Sequence, residues 1–113
     1  MHSGCQSEIT VAEAHQRVAN GESVALIDVR EPEEHALASL AGAELIPMGS
    51  IPQRLAHLEL VSGEKSLIVF CHHGVRSLHV VNWLRGHGIE NAQSMGGGID
   101  AWSRSIDPTV PRY

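Results

Sequence analysis

Ser66-Leu67-Ile68-Val69-Phe70-Cys71-His72-His73-Gly74-Val75-Arg76-Ser77 is an apolar run that ends on a cysteine and turns at a glycine into a helix-compatible stretch. The uncharged run has strand length and no alternation, the pattern of a strand covered on both faces in a parallel sheet. From Arg76 to Arg85, Val80, Val81 and Leu84 recur at helical spacing, and Gly86 and Gly88 end the pattern. Strand, tight turn and helix in this order set the Cys71 sulfur where the first N–H groups of a helix converge. A helix N-terminus favours thiolate over thiol, so the stretch reads as a fold built around one reactive sulfur.

Outward from this unit the chain keeps alternating short apolar runs with helical patterns, the rhythm of an α/β architecture. Thr10 and Glu13 form a capping-box pattern ahead of a helix from Val11 to Ala19, which Asn20-Gly21 stops. Val24 to Ile27 is a second buried-strand candidate, with Asp28-Val29-Arg30 at its C-terminal end. Pro32 and the acids around it open a short helix through His35 to Leu40. Glu44 to Ile46 reads as a strand, Pro52 to Leu60 as a helix, Ala92 to Met95 as the last strand, and Gly96-Gly97-Gly98 as the turn into a final helix carrying Trp102. Parallel sheets bind ligands beyond the C-terminal ends of their strands, so Asp28-Val29-Arg30 and the Cys71 loop are expected to share a rim.

The 113 residues hold one domain with one core, placed at 8–106 between tails at 1–7 and 107–113. A net charge of −5 argues against a nucleic-acid or anionic-membrane binder, so any anion site must be local. Met1-His2-Ser3-Gly4-Cys5 has neither a basic nor an apolar leader segment, and the expected address is the cytoplasm. Cys5 and Cys71 do not form a C-x-x-C pair, and Cys5 reads as an incidental tail thiol or a partner that captures an oxidised Cys71.

Around the nucleophile, Gly74 suits a turn that needs φ > 0, and Arg76 adds a permanent cation with bidentate geometry for an oxyanion. Ser77 either hydrogen-bonds the sulfur or caps the helix. His72 and His73 line the mouth of the loop, where protonation would add positive charge; three consecutive side chains do not converge on a tetrahedral ion, and no metal is expected. Asp28 and Arg30 read as an ion pair at a strand end, and Gly96-Gly97-Gly98 lacks the lysine and hydroxyl of a phosphate-binding P-loop.

Three segments together make the chain resemble the single-domain rhodaneses, which are sulfurtransferases: Leu26-Ile27-Asp28-Val29-Arg30-Glu31-Pro32-Glu33-Glu34, the Ile68 to Ser77 strand and loop, and Gly96-Gly97-Gly98-Ile99-Asp100-Ala101-Trp102. The resemblance runs from about Glu8 to Trp102 and implies a three-layer α/β domain whose central, mostly parallel sheet of about five strands is flanked by helices. It also implies a double displacement in which Cys71 takes sulfane sulfur from a donor such as thiosulfate and passes it, as a persulfide, to cyanide or a thiol. Substrate contacts then fall to His72, His73, Gly74, Val75, Arg76 and Ser77, with Arg30 pointing into the pocket and Asp28 in support. No cofactor is implied. The partners are a small-molecule donor and acceptor or a sulfur-accepting protein, without nucleic acid or membrane, and the chain is expected as a monomer or weak homodimer. Where the family usually has Gly-His-Ile-Pro-Gly-Ala, this chain has Ala38-Ser39-Leu40-Ala41-Gly42-Ala43, and a different loop is expected beside the site. Two other readings fit a cysteine loop closing on arginine: a cysteine-dependent phosphatase or arsenate reductase, and a noncatalytic binding module. Four residues separate Cys71 from Arg76, against five in the phosphatases of this kind, so a narrower ring is expected.

Overall fold

The computed structural model describes residues 6–113. Five strands, β1 (Glu8–Ile9), β2 (Val24–Asp28), β3 (Glu44–Leu45), β4 (Ser66–Phe70) and β5 (Ala92–Met95), form one sheet in the order β1-β5-β4-β2-β3. Every pairing is parallel, and β4, the strand that delivers Cys71, lies at the centre. The helices are α1 (Val11–Ala19), α2 (Pro32–Leu37), α3 (Leu55–Ser62), α4 (Val75–Gly86) and α5 (Gly98–Ser105).

Alternation along the strands sorts the apolar side chains into two cores. Leu26, Ile68, Phe70 and Met95 pack with Val11, Ala14 and Ile99, on the side of α1 and α5. Ile27, Val29, Leu67 and Val69 pack with Leu58, Val80, Val81 and Leu84, on the side of α3 and α4. Cys71 continues the parity of Leu67 and Val69, so its sulfur faces α4.

The predicted elements are present, with shifted edges that have local causes. Thr10 caps α1 by accepting the Glu13 N–H at 3.1 Å. α2 stops at Leu37 instead of Leu40, because Ala38 is extended (φ −159°, ψ 134°) and its carbonyl turns toward Arg30. The helix expected from Pro52 begins as a 3₁₀ turn at Pro52–Arg54 and becomes α-helical only at Leu55. β1 was not expected; two residues carry no periodic signal, and only pairing with β5 makes them a strand. No helix among the described residues is long and apolar enough to cross a membrane.

Candidate functional site

At the end of β4 the chain turns through Gly74, whose φ of 105° is left-handed, and enters α4. Gly74 supplies no side-chain cap, and the Cys71 sulfur takes that place. Sγ accepts the Gly74 N–H at 3.1 Å and the Ser77 N–H at 3.3 Å, the latter one of the orphan donors of the first helical turn. The thiol reaches Ser77 Oγ at 3.4 Å, and that hydroxyl is tied to Ser94 Oγ at 2.8 Å. Cys71 is 1% exposed, so these donors meet the sulfur in a largely dry setting.

A second loop braces the first. The Ile99 N–H donates to the Cys71 carbonyl at 2.9 Å and the Asp100 N–H to the His72 carbonyl at 3.1 Å, so the N-terminus of α5 holds the backbone of the cysteine loop. This approach requires Gly98: its φ is +62°, and a Cβ there would strike the carbonyl oxygens of Cys71 and His72. Gly98→Ala is therefore expected to destabilise the domain by about 2 kcal/mol or more, through the left-handed backbone and the displaced loop. The urea midpoint measures this, and an unshifted midpoint would mean the two loops do not bear on one another.

Asp28 and Arg30 are both fully buried. Asp28 Oδ1 and Oδ2 accept Arg30 Nε and Nη2 at 2.9 and 2.8 Å, and Oδ2 also lies 2.8 Å from His35 Nδ1. Arg30 spends its remaining donors on the carbonyls of Glu34 and Ala38 and on the Tyr113 hydroxyl. With all five N–H groups taken, Arg30 has no side-chain donor left for a substrate. The expectation that it points into the pocket is corrected to a buried post joining β2, α2 and the 38–43 loop. Burial alone would lower its pKa, but the hydrogen bonds that Arg30 donates to Asp28 and Tyr113 outweigh this and raise it.

Arg76 also has a partner that sequence reasoning did not find. Its Nη1 and Nη2 donate to Glu34 Oε1 and Oε2 at 2.7 and 3.0 Å, a two-bonded fork between α4 and α2. Chiefly because of that fork, the Glu34 carboxyl is pulled down to about 2. A depressed carboxylate contributes stability above its ordinary pKa of 4.5 that is lost as pH falls toward about 2. Glu34→Gln is expected to flatten stability against pH across that window. Denaturant midpoints for the two proteins should diverge above pH 4.5 and converge near pH 2; parallel curves would mean the pair contributes nothing.

The 107–113 segment does not stay an idle tail. Ser103 Oγ donates to the Val110 carbonyl, and Arg112 Nε donates to Asp100 Oδ1 at 3.0 Å. The Tyr113 ring stacks on His72 with centroids 3.9 Å apart and planes within 7°, and its hydroxyl accepts from Arg30 at 2.8 Å and donates to Glu34 at 2.7 Å. His72 also meets the His73 ring, with centroids 3.9 Å apart and planes tilted by 33°, and its Nε2 is buried without a hydrogen-bond partner. Burial, then the charge of His73, lowers the His72 pKa, so its imidazole stays neutral to more acidic pH than an exposed histidine. His73 is exposed at the mouth and Val75 is 71% exposed beside it. His72, His73 and Asp100 bring ligand-type atoms within 4.8 Å of one another, but both Asp100 oxygens already accept from Arg104 and Arg112 at 3.0 Å, and we assign no metal there. Cys5 lies outside the described residues.

The model of the rhodanese-like domain family matches residues 10–105. The chain is 32% identical over 104 residues to a sulfurtransferase of Allochromatium vinosum, covering 92% of this chain and 94% of that protein. It is 34% identical over 110 residues to the chloroplastic rhodanese-like/PpiC domain-containing protein 12 of Arabidopsis thaliana, covering 94% of this chain but only 37% of that longer protein. Among solved structures, a rhodanese-like domain protein of Staphylococcus aureus superposes with a TM-score of 0.79 at 32% identity, covering 96% of this chain and 99% of that one.

Proposed function

Since the chain belongs to the rhodanese-like domain family, we propose that it is a sulfurtransferase that carries sulfane sulfur on Cys71. The observation that supports this reading is the buried Cys71 sulfur accepting the N–H groups of Gly74 and Ser77. In the first half-reaction the Cys71 thiolate attacks the outer sulfur of a donor such as thiosulfate. An Sγ–S bond forms, the donor S–S bond breaks, and sulfite leaves with the electron pair. In the second, cyanide or a thiolate attacks the outer sulfur of the persulfide, and the bonding pair returns to Sγ, regenerating the thiolate. Each state on the enzyme is an anion, so the useful groups are fixed donors: the Gly74 and Ser77 amides and the N-terminal end of α4.

Phosphoryl chemistry asks for a wider ring, because a tetrahedral phosphate presents three oxygens to the loop where a persulfide presents one sulfur. The ring from Cys71 to Arg76 is set by backbone, so side-chain motion does not widen it. Thiosulfate-to-cyanide transfer and aryl phosphate hydrolysis, assayed on one preparation with Cys71→Ser as the blank, separate the two. Cys71-dependent sulfur transfer with negligible phosphate release is expected; the reverse ratio would overturn the reading.

A further inference from the structure

The cation that closes the cysteine loop is already occupied. Arg76 gives Glu34 the two parallel bonds that a sulfonate would otherwise receive, and Glu34 is pinned there by the Tyr113 hydroxyl at 2.7 Å and the Glu31 N–H at 3.1 Å. An incoming dianion must therefore displace or lie beside a fixed carboxylate, and like charges at that range repel. Arg76 also borders a groove of about 320 Å³ between α4 and the 48–52 turn. Met48, Ile51, Pro52, Val75, Val80 and Trp83 line it, with Arg76 and His79 as its polar members. This volume is at the small end of the range for small-molecule sites and suits an aryl or branched alkyl group. Val75 and Met48 stay exposed in the free protein, 71% and 40%, as apolar surface that such a group would cover.

Resting on the sulfurtransferase reading above, we propose that the donor is an organic sulfane-sulfur compound with a single negative charge, its apolar body in the Trp83 groove, and that Glu34 disfavours inorganic dianions. For a thiosulfonate the step balances as follows. Cys71 thiolate attacks the terminal sulfur, the Sγ–S bond forms, the S–S bond to the sulfonyl sulfur breaks, and a sulfinate monoanion leaves with the electron pair. Glu34 is a positioning residue here: it acts through Arg76 and touches no reacting atom.

The test is steady-state sulfur transfer to cyanide by the wild type, Glu34→Gln and Trp83→Ala, with benzenethiosulfonate as the organic monoanion and thiosulfate as the dianion. The wild type is expected to use benzenethiosulfonate about tenfold or more better in kcat/KM. Glu34→Gln should lower the thiosulfate KM by about tenfold and the benzenethiosulfonate KM by less, a gain that damage to the fold does not produce. Trp83→Ala should raise the benzenethiosulfonate KM more than the thiosulfate KM. A wild type that prefers thiosulfate, or a thiosulfate KM that Glu34→Gln leaves in place or raises, would overturn the proposal while leaving Cys71 sulfur transfer intact. Absence of Cys71-dependent turnover with both donors would instead overturn the sulfurtransferase reading on which it rests.

Discussion

Cys71→Ser is expected to lower sulfur transfer on the order of 10⁴-fold or more while the domain keeps its fold. Serine is nearly isosteric and its oxygen still accepts the Gly74 and Ser77 N–H groups, so the turn into α4 keeps its acceptor. What is lost is the nucleophile: an unassisted hydroxyl is not ionised near neutral pH, and no histidine nitrogen is hydrogen-bonded to the Cys71 sulfur among the described residues. Steady-state rates with thermal melts of both proteins check this. A melt within a few degrees of the wild type together with lost turnover is the expected pair; substantial residual transfer would move the reacting sulfur elsewhere.

Asp28→Ala is expected to cost about 3–5 kcal/mol of folding stability, a large share of the roughly 5–15 kcal/mol that holds a domain together. The cost comes less from lost attraction than from what remains. Arg30 would be left fully buried between the Phe70 and Tyr113 rings, each 5.7 Å away, with two guanidinium donors and its own backbone N–H deprived of Asp28 oxygens. Replacing both partners with apolar residues, Asp28→Leu with Arg30→Met, should cost less than either single change, because neither charge then stays unpaired. Denaturant unfolding of the two single variants and the double variant provides the cycle. Additive losses would mean that the pair is not coupled.

The central unit was legible in the sequence because each part carries its own local signal. An unbroken apolar run, a glycine and a helical repeat place β4, the turn and α4 without help from the rest of the chain. Gly96-Gly97-Gly98 was legible as a turn into a helix, but not as the clamp on the Cys71 and His72 carbonyls, because that clamp joins segments far apart in the chain. The fork between Glu34 and Arg76 spans 42 positions and the Arg30 bond to Tyr113 spans 83. Charge pairs of that separation leave no periodicity, so Arg76 read as a cation for an oxyanion and 107–113 as a tail. Arg30 shows the same limit from another side. Its place after Asp28 suggested an ion pair, but only the extended backbone at Ala38 explains where its other donors go.

The most direct measurement of the account is the intact mass of the protein after incubation with excess donor and removal of small molecules. Wild type and Cys5→Ser are expected to gain about 32 Da, one sulfur atom, and to lose it on addition of cyanide, whereas Cys71→Ser gains nothing. A mass that stays unchanged with both thiosulfate and benzenethiosulfonate, or an added sulfur that survives in Cys71→Ser, would contradict it.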